Sequence, residues 1–586
     1  MKLSKLSAAL LAATTSSVTF AGSTSTSLDQ VIVTANKTAQ TLDSITANVH
    51  IITAAELEAK HVTTVTEALN QVAGISFTQN GTLGTTTNLF VRGSSNSRTL
   101  ILIDGIRAND PSSTSGANLA NLMVANIERI EIIKGAQSGV WGSDAAAGVI
   151  NIITKESTDT QVNVEYGAYN TRKASITTGV KSSKTRLSLN AQHIETDGFS
   201  AQAPAGEDIN LYEDDPYSNT NIIAKLNVDL EKGRSLALTH NHTSALANYD
   251  SWGNPNGIQR TDSQSDLTSL SYRDNTTEVS AQQSLFRAEQ LDSATDDIVQ
   301  GKTQSIQLTH QIDNLLLGAA HSINEATSDK YSTVKEANNH TNALFTTLFH
   351  EVGFITFNEA LRLDDYSNFS SKVTGKLGAK MAINSESSIS INYGTAYNAP
   401  SLIQIINPWG TANPDLKPEN SAEVSVSYQN KAFTVSLFDK RVEDLIDWVG
   451  GQYQNVTGTT QIRGYEAEYK LAFDSIELAA NYTHLHTEKS DGSPLARRPD
   501  DQVGLDINWY ATDKLDINVN GQYIGKRSEG NYTQYYSVWN TVINYQINPV
   551  FSTYLKVDNL FDSYYQVVDG YATAERSAYL GVNAKF

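Results

Sequence analysis

The feature that most limits what this chain can fold into is a contrast of periodicities. Beyond the N-terminus no run of 18 apolar residues occurs, the length a membrane-crossing helix needs; "NLLLGAA" (Asn314 to Ala320) is among the longest apolar stretches. Transmembrane helices are therefore excluded. From about residue 156 onward, however, short segments alternate between apolar and polar residues. In "VSVSYQ", Val424, Val426 and Tyr428 fall on one face and Ser425 and Ser427 on the other; "FTVSLF" repeats the pattern through Phe433, Val435 and Leu437. Such alternation describes strands that separate two media. A barrel in a bilayer needs only every second residue to be apolar.

The connections sharpen this reading. "EKGR" (Glu231 to Arg234), "QNK" (Gln429 to Lys431), "ATDK" (Ala511 to Lys514) and "INPV" (Ile547 to Val550) are tight turns, whereas Asn398 to Glu419 and Val442 to Gln461 read as long loops. Short turns on one side and long loops on the other is the asymmetry of outer-membrane barrels. At roughly 20 residues per strand and connection, residues 156–586 supply about 22 antiparallel strands, a size whose wide lumen has to be plugged. "SAYLGVNAKF" places Ala578, Leu580, Val582, Ala584 and Phe586 on one face, as a closing strand against lipid would.

Residues 1–21 read as a secretory signal: a basic start at Lys2 and Lys5, the apolar core "LSAALLAA", then small residues up to Ala21. Residues 41–155 form a compact α+β unit. "TAAE" (Thr53 to Glu56) and "TVTE" (Thr64 to Glu67) have capping-box spacing, and Gly74 is placed to end the second helix. Strand-like runs follow at "NLFVRG", "TLILIDGIR", "RIEIIKG" and "GVINIIT".

Composition removes several functions. The chain has no cysteine, so neither disulfides nor thiolate metal sites exist. A formal net charge of -20 argues against nucleic acid and against simple docking to anionic headgroups. No catalytic constellation stands out, and the chain does not read as an enzyme. The histidine pairs of "HNH" (His240 to His242) and "HLH" (His484 to His486) share a strand face and read as polar residues facing the lumen.

Gly135, Gly139 and Gly142 in "IERIEIIKGAQSGVWGSDAAAGVINIITK" (Ile127 to Lys155) suggest a phosphate loop at first sight. No Gly-Lys-Ser/Thr follows and the dinucleotide spacing is absent, so the glycines serve turns and close packing. With "FVRG" (Phe90 to Gly93) and "LIDGIR" (Leu102 to Arg107), this stretch resembles the plug domain of TonB-dependent outer-membrane receptors. "YGTAYNAPSL", "NPDLKPE", "IRGYEAE" (Ile462 to Glu468) and "KVDNLFDSYY" resemble barrel signatures of the same family, in the same order.

The resemblance implies a 22-stranded barrel with an N-terminal α+β plug, in the outer membrane of a Gram-negative bacterium, contacting lipid and lipopolysaccharide. It implies active import driven by TonB and its inner-membrane ExbB/ExbD complex. Within residues 22–40, "DQVIVTA" is similar to the TonB box: Asp29, Gln30, Val31, Ile32, Val33, Thr34 and Ala35. A short β-branched segment of this kind can be taken by a partner as an added strand. "PLARRPDDQVGLDINW" and "GYATAER" (Gly570 to Arg576) look like the vitamin B12 (cobalamin) receptor, which implies a corrinoid cargo. By that resemblance Thr82, Leu83, Gly84, Thr85, Thr86 and Asn109 in two apical plug loops contact cargo. Glu213, Asp215, Tyr249, Asp250 and Asp262 match positions that bind Ca²⁺ there, while Ser200 stands where a further acid is expected. A siderophore or haem receptor of the same family is the alternative cargo reading. A passive porin or an adhesin is the alternative from another class.

Overall fold

The computed structural model describes residues 31–32, 36–37, 40–204, 206–251, 253–291, 297–330, 333–529 and 535–586. The expected signal, residues 1–21, lies outside them. Among the described residues, 22 antiparallel strands from Gln161–Gly167 to Ser577–Lys585 close into one barrel. The last strand pairs with the first, Val162 opposite Ala584 and Tyr166 opposite Leu580. Closure satisfies every edge, the condition for a sheet in hydrocarbon. The alternation holds as expected: Leu580, Val582 and Phe586 are 60%, 44% and 68% exposed on the outer face, while Ser577 and Gly581 point inward and are buried.

The four expected tight turns all join neighbouring strands. The long loop 399–418 is also present and carries a short helix, Leu402–Ile406, with a capping box at Ser401 and Gln404. The other expected long loop is different. Phe433–Val449 and Gln452–Ala472 stay paired as far as Val449 opposite Gln452, so Val442 to Gln461 is one tall hairpin. Gly450 and Gly451, with φ of 60° and 85°, make its turn. Continued pairing satisfies backbone groups that a loose loop would leave to water.

The histidine reading is overturned. His240 and His242 share the outer face with exposed Leu236 and Leu238, while Asn241 and Thr243 are the buried, inward residues. His484 and His486 likewise flank inward Leu485, 6% exposed. Outside, they pair with acids: His242 Nδ1 lies 2.8 Å from Asp266 and His484 Nδ1 2.9 Å from Asp501. Counting residues from the neighbouring leucines assigns the correct face; polarity alone does not.

The plug fills the lumen. Its main sheet runs Val49–Thr53, Ile127–Lys134, Gly148–Thr154, Thr99–Ile103 and Ile106–Arg107, and a smaller one joins Ile75–Gln79, Thr87–Val91 and Ser94–Ser95. Leu69, Ile75, Leu89, Ile101, Ile130 and Ile150 form the core between them. Helix Ala54–Lys60 starts on the expected capping box, Thr53 accepting from Glu56 N at 3.2 Å and donating its own N–H to the Glu56 carboxylate at 2.8 Å. The second helix is shorter than expected, Val65–Leu69. Gly74 lies beyond it in a turn at φ +75°, where a Cβ would come within 1.9 Å of Glu466 Oε1.

That contact belongs to the main attachment of plug to wall. Arg92 Nε and Nη2 donate to both oxygens of Glu466 at 2.9 and 3.0 Å, and Nη1 donates to Glu423 at 3.0 Å. Lys134 Nζ reaches Glu466 and Glu468 at 3.1 and 3.4 Å. Arg92, Lys134 and Glu466 are all buried. The "FVRG" and "IIKG" segments of the plug thus meet "RGYEAE" of the barrel in one network. Multidentate, charge-assisted bonds of this type fix geometry strongly, and removing one member strands a buried charge.

Candidate functional site

The outward end of the plug and the barrel loops enclose a cavity of about 470 Å³. Gly84, Thr85 and Thr86 from the plug line it, facing Tyr249, Asp250 and Tyr571 from the barrel. Gly84 sits at φ +79° with its α-carbon against the Tyr217 ring, where a Cβ would clash at 2.3 Å. Glycine is therefore required for the loop to lie against the wall. Thr86 is exposed, and Thr85 and Thr82 are buried. Thr85 Oγ1 donates to the Thr82 carbonyl at 2.7 Å, a bond that shapes the loop. Leu83 packs beside Ile194, Tyr217, Ala245 and Ala247 as a foot for the loop.

Asn109 takes a different role from the one expected. Its Oδ1 accepts from Ile101 N at 2.8 Å and its Nδ2 donates to the Thr99 carbonyl at 3.0 Å. The amide, 6% exposed, is consumed in holding the strand edge.

Three of the five expected metal ligands converge. The carboxylates of Glu213, Asp215 and Asp250 each place an oxygen within 4.8 Å of the others. Asp250 Oδ2 accepts from Gln202 N at 2.7 Å and from Ser200 Oγ at 3.1 Å, so Ser200 stands at the cluster as a hydroxyl rather than an acid. Asp215 Oδ2 accepts from Ala201 N at 2.8 Å. Both carboxylate oxygens of Glu213 are buried without a hydrogen-bond partner. Burial, reinforced by the neighbouring Asp250, pushes both Glu213 and Asp215 up to about 7. Tyr249 lines the adjoining cavity. Asp262 is not part of the group: it stands opposite Leu246 on the outer face, since Leu267 of the same strand points inward into the plug core.

Of the expected partner-binding segment, Asp29, Gln30, Val33, Thr34 and Ala35 lie outside the described residues. Val31 and Ile32 pair antiparallel with Thr41 and Gln40, so this part of the backbone already has a partner strand within the chain. Asn36 is tucked against the barrel, donating to Asn358 Oδ1 at 3.3 Å and accepting from Thr347 Oγ1 at 3.3 Å. Tyr571 was not singled out from sequence, although it lies within the "GYATAER" stretch; only its bridge to Gln202 across the loops reveals it.

A lumen-filling plug, polar outward loops and a closed 22-stranded wall define a gated outer-membrane receptor. Comparison agrees: residues 41–149 match the TonB-dependent Receptor Plug Domain and residues 154–560 match the TonB dependent receptor-like β-barrel. The chain belongs to the TonB-dependent receptor family, transport proteins of the Gram-negative outer membrane. Similar solved structures include the ferric-catecholate import receptor Fiu of E. coli, with 18% identity, a TM-score of 0.74 and coverage of 93% of this chain and 98% of that one. The ferric enterobactin receptor PfeA of Pseudomonas aeruginosa gives 17%, 0.77, 92% and 99%. The siderophore receptor PirA of Acinetobacter baumannii gives 16%, 0.76, 92% and 98%.

Proposed function

We propose that the protein imports a bulky metal–organic chelate, with TonB taking the Asp29 to Ala35 segment and drawing on the energised inner membrane through ExbB/ExbD. The observation that carries this reading is the cavity of about 470 Å³ between plug loop and barrel loops, outward of a lumen that the plug fills. Cargo seated there touches Thr85 and Thr86 directly, so binding is felt by the part of the chain that must move. The outer membrane stores no gradient, and an external pull has to supply the work. Deleting Asp29 to Ala35 abolishes uptake and leaves cargo affinity nearly unchanged; equal loss of both contradicts the assignment.

On the comparisons a ferric siderophore is the leading cargo, because the similar solved structures are those of siderophore receptors. A specific feature favours the second reading, a corrinoid. The cavity lining is mostly Thr, Ser, Asn, Gln and Ala, with Asp250 its one carboxylate and no cation among the described residues, which suits an amide-bearing cargo of little net charge better than a polyanion. Parallel titrations of the purified receptor with cyanocobalamin and with a ferric catecholate decide between them. Nanomolar binding of the ferric chelate alone removes the corrinoid reading.

The acidic cluster fits Ca²⁺, which takes oxygen ligands, and the stranded oxygens of Glu213 are what a cation would satisfy. Glu213, Asp215 and Asp250 would hold it, pinning the connection that carries Glu213 and Asp215 to the end of strand Ser235–Ser251. Both raised carboxylates have folded-state values above their ordinary 4.5 and 3.8. Without a cation, the stability that these two groups contribute is therefore greatest below about pH 4 and is lost as pH rises towards 7. Cation binding needs the ionised forms and reverses that slope. Ca²⁺ affinity drops by about one to two orders of magnitude from pH 7.5 to 5.5, measured by calorimetry. A flat profile removes these carboxylates as ligands.

A further inference from the structure

The seam where the last strand meets the first is lightly paired. Gln161–Gly167 and Ser577–Lys585 have 7 and 9 residues, against 17 and 20 in Ser235–Ser251 and Asn254–Arg273. A shorter ladder has fewer backbone bonds and opens at lower cost. Side chains on the inner face add what the backbone lacks. Tyr554 lies over Gly581 of the last strand, where a Cβ would come within 2.1 Å of its ring. Its hydroxyl thereby reaches the first strand and donates to Glu165 Oε2 at 2.6 Å. Tyr579 lies over Gly167 of the first strand in the same way, with a Cβ at 2.3 Å from its ring. Each glycine is a gap that a tyrosine of the neighbouring strand fills.

The plug sets the end of a helix on these joints. Helix Ala54–Lys60 stops at His61, whose φ is +44°. Glycine is the usual residue at such a helix end, because a side chain in the left-handed region is strained. The ring that His61 brings instead has a partner. It lies 3.4 Å from the Tyr554 ring and 9° from parallel, and its Nε2 is 2.8 Å from Asn544 Oδ1. Asn544 Nδ2 donates to the Ala59 carbonyl at 3.1 Å. Lys556 Nζ donates to the His61 carbonyl at 3.3 Å and stands 5.1 Å from the Tyr579 ring. The helix end is thus connected to both tyrosines, directly to Tyr554 and through Lys556 to Tyr579.

We propose that Ala59 to His61 are a clasp that holds the closing seam of the barrel shut from inside, so that the stability of the seam depends on the plug. The His61 ring presses Tyr554 into the gap at Gly581, and the bond from Tyr554 to Glu165 then ties the last strands to the first. The clasp is independent of the cargo and of how import is driven.

Amide hydrogen exchange of the full chain in detergent, read strand by strand by mass spectrometry, tests the clasp. His61→Gly removes the ring and leaves the residue that the backbone at φ +44° prefers, so a loss belongs to the ring. Exchange rises several-fold in Gln161–Gly167 and Ser577–Lys585 and stays unchanged in Ser235–Ser251. Tyr554→Phe keeps the ring and loses only the bond to Glu165, and gives a smaller rise in the same two strands. No rise there in either protein, or an equal rise in Ser235–Ser251, overturns the clasp. The native chain has no cysteine, so a single bridge can be placed cleanly. Val164→Cys and Val582→Cys face each other across the seam on the outer wall, and Leu344→Cys and Leu363→Cys do so between two other strands. A short bis-maleimide across the first pair returns His61→Gly to native exchange, and across the second pair it does not. Equal recovery with both bridges, or none with the first, also overturns the clasp.

Discussion

The two walls that face the plug are built from the same alternating strands, yet they bind it differently. Near Glu466 the contact is dry and ionic: Arg92 and Lys134 are locked to three glutamates at 2.9 to 3.4 Å. Near Ser280 the contact is sparse and neutral, with bonds such as Ser284 Oγ donating to the Arg107 carbonyl at 2.8 Å. Isolated neutral bonds of this kind are worth about 1 kcal/mol each, whereas stranding a buried ion costs several times more. The plug is therefore held most densely on one side, while on the other Lys225 of the wall pairs with Asp104 of the plug at 2.7 Å.

The largest expected effect falls on the ionic wall. Glu466→Ala takes from Arg92 its bidentate partner and from Lys134 its nearer one, leaving them Glu423 and Glu468 alone, and destabilises plug seating by about 3 kcal/mol. Protease protection of the plug in detergent reads this, and unchanged protection shows that the two walls do not differ as described. Gly74→Ala is next: the new methyl meets Glu466 at 1.9 Å and the backbone is at φ +75°. It loosens the same network by about 1–3 kcal/mol, by the same assay. Smallest is Ser280→Ala on the sparser wall, within about 0.5 kcal/mol of the native protein. A loss as large as that of Glu466→Ala would mean that this wall bears the plug equally.

Much of the barrel could be read from the sequence because a strand's period is local. Val424, Val426, Leu580 and Val582 declare the lipid face without reference to any other segment. The plug's attachment could not be read that way. Arg92 and Glu466 are 374 residues apart, and nothing in either segment names its partner. The tall hairpin at Val442 to Gln461 was hidden because polar strands above a membrane look like loops. In the site, the clustered acids Glu213, Asp215 and Asp250 and the loop Gly84 to Thr86 were visible as motifs. Asn109 and Asp262 were misplaced for two different reasons. The first spends its amide on its own backbone, and the second falls on the wrong parity of its strand.

The seam between Gln161–Gly167 and Ser577–Lys585 has a consequence for assembly. These two strands are separated by more than 400 residues, so the hoop shuts only after every intervening hairpin has been delivered. Until then its first strand offers bare amides to any passing chain. The plug, joined to that strand by the short link 155–160, has to be inside the bore when the circle is completed. Loss of the last strand would therefore cost both the cylinder and the enclosure of its contents.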